Sequence, residues 1–279
     1  MIVWLASYPK SGNTLLRSIL SAYFFSNDGK FKFENLYKIN QFPLLKHFIP
    51  IGVDIKDDEA IFKNFINAQN FINEQKGKVK FFKTHSSFSK INNINFTNLQ
   101  NTLGVIYVVR DPRNVVTSLA HHYDLSIDKA IDTIMDEEKF MSRTDKNAKV
   151  HTGSWNFNYN SWKNFQRQKR FLLIKYEDLI SKKKSVILKI FKFLDSLGMK
   201  LDIDMVKINK VIKTTDFEQM KIKEQKEIFT EAMIDEKTGK RKTFFNLGPK
   251  NNWRKNLDIK NKEKIENAFS KEMEELGYL

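Results

Sequence analysis

The chain has 279 residues, of which 41% are hydrophobic and 29% charged, a composition that indicates a globular protein and excludes a disordered one. It contains no cysteine, which excludes disulfide bonds, thiolate metal sites and cysteine catalysis. The formal net charge of +15 favours phosphorylated or polyanionic partners, although the lysines form no single block and a general excess of lysine explains the charge equally well.

The N-terminal region carries no sign of a membrane span or a secretion signal. The apolar run from Ile2 to Ala6 is far too short for either. We therefore expect a soluble, cytoplasmic protein. The sequence has no linker rich in Ser, Pro or Gly and no internal repeat, so we expect one domain over residues 1–279.

The chain begins with a predicted strand, turn and helix. Residues 2–6 form an apolar run of strand length, and the spacing of apolar residues predicts a helix from Thr14 to Phe25. The turn between them carries one cation, one glycine and two hydroxyls, namely Lys10, Gly12, Ser11 and Thr14. The first N–H groups of a helix have no partner within it and lie at the positive end of its dipole, so this turn suits a phosphate-like anion. An ordinary strand-to-helix connection with a hydroxyl cap is the alternative.

Strands and helices alternate along the rest of the chain. In order, the sequence predicts an irregular apolar segment over 28–57, a helix over 58–74, strands at Val79–Lys83 and Leu103–Val109, a helix that begins at Asp111-Pro112, further helix over 125–168, a strand at Phe171–Lys175, helices over 181–197 and 202–213, a polar lysine-rich stretch to about 243 and a last helix over 260–276. Strands separated by helices imply a parallel sheet with right-handed crossovers. We therefore predict an α/β fold with three layers, in which helices flank a central parallel sheet.

Polar residues follow three of the predicted strands. Lys10 comes after the first strand, Lys83-Thr84-His85 ends the second, and Arg110 comes directly after the third. Open parallel sheets bind their ligands at the carboxyl ends of the strands, so we expect these residues to line one site.

The turn differs from the phosphate loop of NTPases, whose pattern G-x-x-x-x-G-K-[ST] places a glycine directly before the lysine. Its sequence at residues 8–14, Tyr-Pro-Lys-Ser-Gly-Asn-Thr, resembles the 5′-phosphosulfate loop of the sulfotransferases that use 3′-phosphoadenosine 5′-phosphosulfate (PAPS). Lys83-Thr84-His85 resembles the Lys-Thr-His of cytosolic sulfotransferases. Arg110 with Ser118, eight residues later, resembles the 3′-phosphate motif of this family, and Tyr176 resembles its adenosine-side tyrosine.

The resemblance runs from residue 2 to about residue 256 and implies a P-loop-like nucleotide-binding fold with enzymatic activity. The implied reaction moves the sulfuryl group of PAPS to a hydroxyl or amine of a small-molecule or glycan acceptor and releases 3′,5′-adenosine bisphosphate (PAP). The implied catalytic residues are His85, as general base, with Lys10 and Lys83, and no metal is expected. The implied nucleotide-binding residues are Lys10, Ser11, Gly12, Asn13, Thr14, Leu15, Arg110, Ser118, Tyr176 and Gly248.

The chemistry of sulfuryl transfer explains these residue types. An acceptor hydroxyl is a poor nucleophile at neutral pH, and an imidazole with a pKa near ~6.5 can take its proton as the new S–O bond forms. Negative charge grows on the bridging oxygen of the donor, and a lysine aimed at that oxygen stabilises the transition state more than the ground state. Because the sulfuryl group carries less charge than a terminal phosphoryl group, lysines could replace the Mg²⁺ that kinases require.

Two positions depart from the family pattern. Leu15 stands where many members carry a tryptophan that stacks on adenine. Asn246-Leu247-Gly248 stands where the family commonly has Arg-Lys-Gly for the 3′-phosphate, so the glycine is kept and both cations are missing. The cations nearby in the sequence that could replace them are Arg241, Lys242, Lys250 and Arg254.

Two other functions compete with this interpretation. A P-loop kinase or NTPase would use Asp111 as its Mg²⁺-binding carboxylate, but the position of Asp111 before Pro112 is explained by helix capping. A basic nucleic-acid-binding protein would explain the charge but not the residues at the strand ends, so no nucleic-acid partner is expected. The acceptor pocket is predicted to involve segments 31–57, 86–98, 121–150 and 218–243, and the sequence leaves the acceptor and the oligomeric state open.

Overall fold

The computed structural model describes residues 1–75, 80–234 and 238–279. Its strands are β1 (Ile2–Ser7), β2 (Asn40–Gln41), β3 (Lys80–Thr84), β4 (Lys90–Ile91), β5 (Ile94–Asn95), β6 (Thr102–Val109), β7 (Phe140–Met141), β8 (Val150–His151) and β9 (Phe171–Lys175). Its α-helices are α1 (Asn13–Phe25), α2 (Phe33–Leu36), α3 (Asp58–Lys63), α4 (Phe65–Glu74), α5 (Pro112–Tyr123), α6 (Ile127–Met135), α7 (Trp155–Lys163), α8 (Tyr176–Ser181), α9 (Lys183–Ser196), α10 (Met205–Thr214), α11 (Phe217–Lys226), α12 (Trp253–Asn256) and α13 (Ile259–Glu275).

The central sheet is parallel and, among the described residues, contains five strands in the order β2-β3-β1-β6-β9. Strand β1 lies in the middle, with β3 on one side and β6 on the other. Because all five strands run in the same direction, their carboxyl ends meet at one edge of the sheet. The loops after β1, β3, β6 and β9 therefore converge there.

Helices cover both faces of this sheet, and β1 contributes to both hydrophobic cores. Alternate side chains of a strand point to opposite faces, so Trp4 packs into one core and Val3 and Leu5 into the other. Helices α4, α5, α6, α7 and α13 pack on the first face, and α1, α9 and α10 pack on the second. The three-layer α/β fold predicted from the sequence is confirmed.

The long apolar strands were predicted close to their observed bounds. The predicted second strand begins at Lys80 in the structure, and Val79 lies outside the described residues. The predicted helix over 58–74 is two helices, because the backbone of Asn64 leaves the helical conformation and its side chain donates a hydrogen bond to Ala60 O at 2.9 Å.

One other prediction was wrong, and two further segments contain elements that the sequence did not predict. Residues 136–154 are not helical, because β7 and β8 form a small antiparallel pair there. Gly153 also has a φ of 62°, which is incompatible with a continuous α-helix. The irregular segment over 28–57 contains the edge strand β2, which pairs with β3 through Gln41 and Lys83. The lysine-rich stretch contains α11, whose N-terminus is capped by the side chain of Asp216.

No helix in the described ranges is long and apolar enough to cross a membrane.

Candidate active site

The turn after β1 has the conformation of an anion-binding loop. Lys10 and Gly12 have positive φ values of 64° and 103°, and α1 starts directly afterwards without a side-chain cap on its first N–H groups. The side chain of Asn13 fixes the turn to the strand, since its Nδ2 donates to Leu5 O at 2.8 Å. The amides at the start of α1 are therefore oriented by the fold and left for a ligand.

Two features require a glycine at position 12: its positive φ angle and the close approach of Tyr176. A Cβ atom at this position would lie 2.4 Å from Cδ2 of Tyr176, the residue that follows β9. The predicted nucleotide-side tyrosine thus packs directly on the predicted phosphosulfate loop.

Arg110 joins the same group from the end of β6. Its guanidinium lies 4.4 Å from the centre of the Tyr176 ring, and its Nη1 donates to Lys10 O at 3.1 Å. Its Nη2 donates to Gly248 O at 3.5 Å, a long contact. Arg110 is 5% exposed, and its Nε has no hydrogen-bond partner among the described residues. A buried arginine with an unused donor fits an anionic ligand.

The His85 imidazole is held in its neutral form. Its Nδ1 lies 2.8 Å from Ser7 O, and because a carbonyl can only accept, Nδ1 carries the proton and Nε2 keeps its lone pair. Asn158 Nδ2 donates to His85 O at 3.0 Å and fixes the backbone. Burial, with repulsion from Lys83, lowers the pKa of His85 to about 3.

The two lysines of the site are buried and close to other charges. Burial and repulsion from Lys83 and Arg110 lower the pKa of Lys10 to about 7. Its Nζ lies 4.5 Å from the centre of the Phe244 ring. Burial also lowers the pKa of Lys83.

Glu231, which the sequence analysis did not single out, connects several of these groups. Its carboxylate accepts a hydrogen bond from Thr14 Oγ1 at 3.1 Å, forms a close ion pair with Arg17 and lies 3.9 Å from Lys83 Nζ. Burial by itself would raise the pKa of Glu231, but Lys83 and Arg17 outweigh it and lower the pKa to about 2. A possible sequence signal was Arg17, a charge on a helix that is otherwise largely apolar.

One cavity of about 630 Å³ brings the strand-end residues together. The predicted residues that line it are Lys10, Gly12, Asn13, Thr14, Leu15, Lys83, His85, Arg110, Ser118, Tyr176 and Gly248. Ser11 does not line it and is fully buried, with no partner for its Oγ in the described ranges. The expectation that three strand ends share one site is met.

A comparison with protein families shows which family the chain belongs to. Residues 2–277 match the family described as the sulfotransferase domain. The chain belongs to the sulfotransferase family. Sulfuryl transfer is the general chemistry of such enzymes, and the predicted enzyme class is confirmed.

Known sulfotransferases resemble the chain over nearly its whole length. Mouse sulfotransferase 1 family member D1 is 26% identical, and the alignment covers 98% of this chain and 83% of that protein. Rabbit amine sulfotransferase is 22% identical, with 98% and 81% covered. A mouse sulfotransferase solved in complex with PAP shares the fold, with a TM-score of 0.61 at 19% identity over 97% of this chain and 83% of that one.

None of the four cations that could have replaced the missing Arg-Lys pair of this sulfotransferase lines the cavity. Lys242 pairs with Asp124 at 3.5 Å and Lys250 with Glu218 at 3.1 Å. Arg241 donates to Phe229 O at 3.2 Å, and the guanidinium of Arg254 lies over the Trp253 ring. Arg110, which lines the cavity, contacts Gly248 O through its Nη2 at 3.5 Å.

The kinase alternative is not favoured by the position of Asp111. Both carboxylate oxygens of Asp111 are used by Arg113, whose Nε and Nη2 approach them at 2.9 and 2.8 Å. Asp111 Oδ1 also caps α5 by accepting from the Arg113 N–H at 3.0 Å. No group of three or more His, Asp and Glu side chains that could hold a metal ion occurs in the described part of the chain.

Proposed function

We propose that this sulfotransferase transfers the sulfuryl group of PAPS to an acceptor hydroxyl, with His85 as general base. The observation that carries the proposal is the position of a neutral His85, with Nε2 free to accept a proton, in the same cavity as Lys10, Lys83 and the uncapped start of α1. The family match over residues 2–277 and the relative solved with PAP support the choice of nucleotide. We also propose that residues 1–279 are a single domain, because the family match spans nearly all of them.

The residues of the cavity fit a nucleotide that carries one phosphate at the 5′ position and another at the 3′ position. The amides at the start of α1, with Gly12, Asn13, Thr14, Leu15 and Lys10, would hold the 5′-phosphosulfate, whereas Ser11, predicted for this role, is buried outside the cavity. The unused Nε of Arg110 and the hydroxyl of Ser118 would hold the 3′-phosphate, since a guanidinium suits a terminal phosphate. Tyr176 and Gly248 would lie on the adenosine side.

The bound donor would supply an activated sulfuryl group. His85 Nε2 would take the acceptor proton as the acceptor oxygen bonds to sulfur, and the bond from sulfur to the phosphate oxygen would break to release PAP. Lys10 and Lys83 would balance the charge that grows on that phosphate oxygen. An anionic donor next to His85 would also raise its pKa from about 3, because a nearby negative charge favours the imidazolium.

The nucleotide is tested by thermal unfolding with PAP and, separately, with ATP and Mg²⁺. We expect PAP at 100 times its Kd to stabilise the fold by about 2.7 kcal/mol. Stabilisation by ATP with Mg²⁺ alone would support a kinase, and stabilisation by RNA alone would support a nucleic-acid-binding protein.

The role of His85 is tested with His85→Gln. We expect normal PAP binding with a loss of transfer of ~10²- to 10⁴-fold, the usual contribution of a general base. Arg110→Gln is the matched variant for the nucleotide, and it should instead weaken PAP binding. Unchanged turnover in His85→Gln would remove this residue from the mechanism.

A further inference from the structure

The sheet order divides the cavity into a nucleotide end and a second end. Arg110 and Tyr176 follow β6 and β9, which lie on one side of β1, whereas His85 follows β3 on the other side. Beyond β3 lies β2, whose Gln41 pairs with Lys83 and lines the cavity. If the protein acts as proposed above, the acceptor reaches His85 from the β2 end.

The wall of this end contains the apolar Leu44, which forms a β-bridge with Asn147, and polar side chains from two segments. The polar side chains are Asn40, Gln41, Lys46, Lys146 and Asn147. The two segments are joined, because Leu45 N donates to Lys146 O at 2.9 Å and Gln41 Nε2 donates to Asn147 Oδ1 at 3.0 Å. The polar wall is thus held by the fold.

Part of the hydrogen-bonding capacity of this wall is unused. Lys46 Nζ donates to Asn40 Oδ1 at 3.0 Å, which leaves Asn40 Nδ2 without an acceptor in the described ranges. Gln41 uses its Nε2 on Asn147, and its Oε1 has no donor among the described residues. One free donor and one free acceptor in the same cavity as His85 suit neighbouring hydroxyl groups of a ligand.

The net charge of the cavity lining as a whole is positive. Among described residues, the cavity is lined by six cations, Lys10, Arg17, Lys46, Lys83, Arg110 and Lys146, and by one carboxylate, Glu231. Glu231 is already bound to Arg17. Neither Lys46 nor Lys146 forms an ion pair with a described residue.

We propose that the acceptor is an acidic carbohydrate: a sugar bearing a carboxylate or a similar anionic group. One hydroxyl would face His85 Nε2, neighbouring hydroxyls would meet Asn40 and Gln41, and the anionic group would lie near Lys46 and Lys146. The same cations disfavour a protonated amine at this end. The proposal rests on the proposed function and names the class of acceptor for the same site.

The test compares three acceptors. Methyl glucuronide carries a carboxylate where methyl glucoside carries a hydroxymethyl group, and 2-naphthol is an apolar phenol. We expect a higher kcat/KM for methyl glucuronide than for methyl glucoside. Replacing both lysines, Lys46→Gln with Lys146→Gln, should lower that ratio roughly three- to tenfold, as expected for two exposed charge pairs. Raising the salt from about 0.05 M to about 0.5 M should also lower it, because salt screens exposed charges.

Lys56→Gln is the matched control, since Lys56 is exposed and does not line the cavity. This variant should keep the wild-type ratio. Equal kcat/KM for both sugars, a preference for 2-naphthol over both, or an unchanged ratio in the double variant would overturn the acceptor proposal and leave the proposed function standing. No transfer to any acceptor together with no PAP binding would overturn both.

Discussion

Lys10 is a residue whose charge depends on what else the cavity holds. Its pKa is lowered to about 7 by burial and by the neighbouring Lys83 and Arg110. A phosphosulfate beside it would reverse this effect, because a nearby anion favours the ammonium form. Nucleotide binding above pH 7 should therefore be coupled to proton uptake.

This coupling predicts how PAP affinity varies with pH. Above pH 7 an increasing share of Lys10 is neutral in the free protein, so the affinity should fall as pH rises, by up to about tenfold per pH unit. Calorimetry at pH 8 in two buffers of different ionisation enthalpy measures the protons taken up. Lys10→Arg stays charged at this pH and should take up fewer protons on binding PAP. The same proton uptake in both proteins would contradict the assignment.

The sequence identified the residues of the site that lie in short motifs at the strand ends. Lys10, Lys83, His85 and Arg110 all follow apolar runs, and the sheet brings them together. Glu231 lies in a lysine-rich stretch far along the chain, and only the folded structure shows that it contacts Thr14. Interactions of this kind depend on tertiary packing, and the sequence marks only one partner, Arg17 on a largely apolar helix.

At the scale of elements, the connection between β1 and α1 depends on Gly12. An alanine at this position would be destabilising for two reasons: the positive φ of 103° and a contact of 2.4 Å between its Cβ and Tyr176. A substitution at Gly198 measures the backbone effect alone. Gly198 has a φ of 88°, and an added Cβ would meet no neighbouring atom within 4 Å.

The pair of glycines gives a matched prediction. Gly198→Ala should destabilise the protein by about 1 to 2 kcal/mol, the cost of the left-handed conformation. Gly12→Ala should cost more and should also weaken PAP binding, because Tyr176 or the loop must move. Urea unfolding measures the first effect, and a PAP titration measures the second. Equal destabilisation by the two variants would show that the contact with Tyr176 is relieved without cost.

Element length decided which parts of the fold were predictable. Strands β1, β6 and β9 are continuous apolar runs of five to eight residues, and their length and content of β-branched and aromatic residues are sufficient to identify them. Strand β2 has only two residues, too few to show a pattern. Helix α11 was not predicted because it has no apolar stripe: Met220 is its only buried residue, and most of its surface is polar.

At the scale of the whole molecule, buried histidines make stability depend on pH. His47 stacks on Phe42, and its Nδ1 accepts a hydrogen bond from Leu44 N at 3.1 Å, which protonation would break. Burial lowers the pKa of His47 to about 4, and that of His85 is lowered to about 3.

The sign of this dependence follows from which state binds protons. Between about pH 6.5 and pH 4 the unfolded chain protonates these two histidines, and also His122, whose pKa burial lowers to about 3, while the folded protein does not. Acid therefore favours unfolding. The free energy of unfolding should fall by about 1.4 kcal/mol per pH unit for each histidine. Urea titrations from pH 7 to pH 4.5 measure the slope, and His47→Gln should reduce it by one proton. An unchanged slope would mean that His47 is protonated in the folded state.

Glu231 places a permanent anion among the cations that the donor is proposed to use. The carboxylate partly neutralises the positive potential near Thr14 and Lys83. A phosphosulfate bound there would therefore have a lower affinity than the same cations would give without the carboxylate. The product nucleotide would be held less tightly for the same reason. If the nucleotide binds as proposed, the carboxylate would act as a resident counter-ion that lowers the affinity of the cavity for both donor and product.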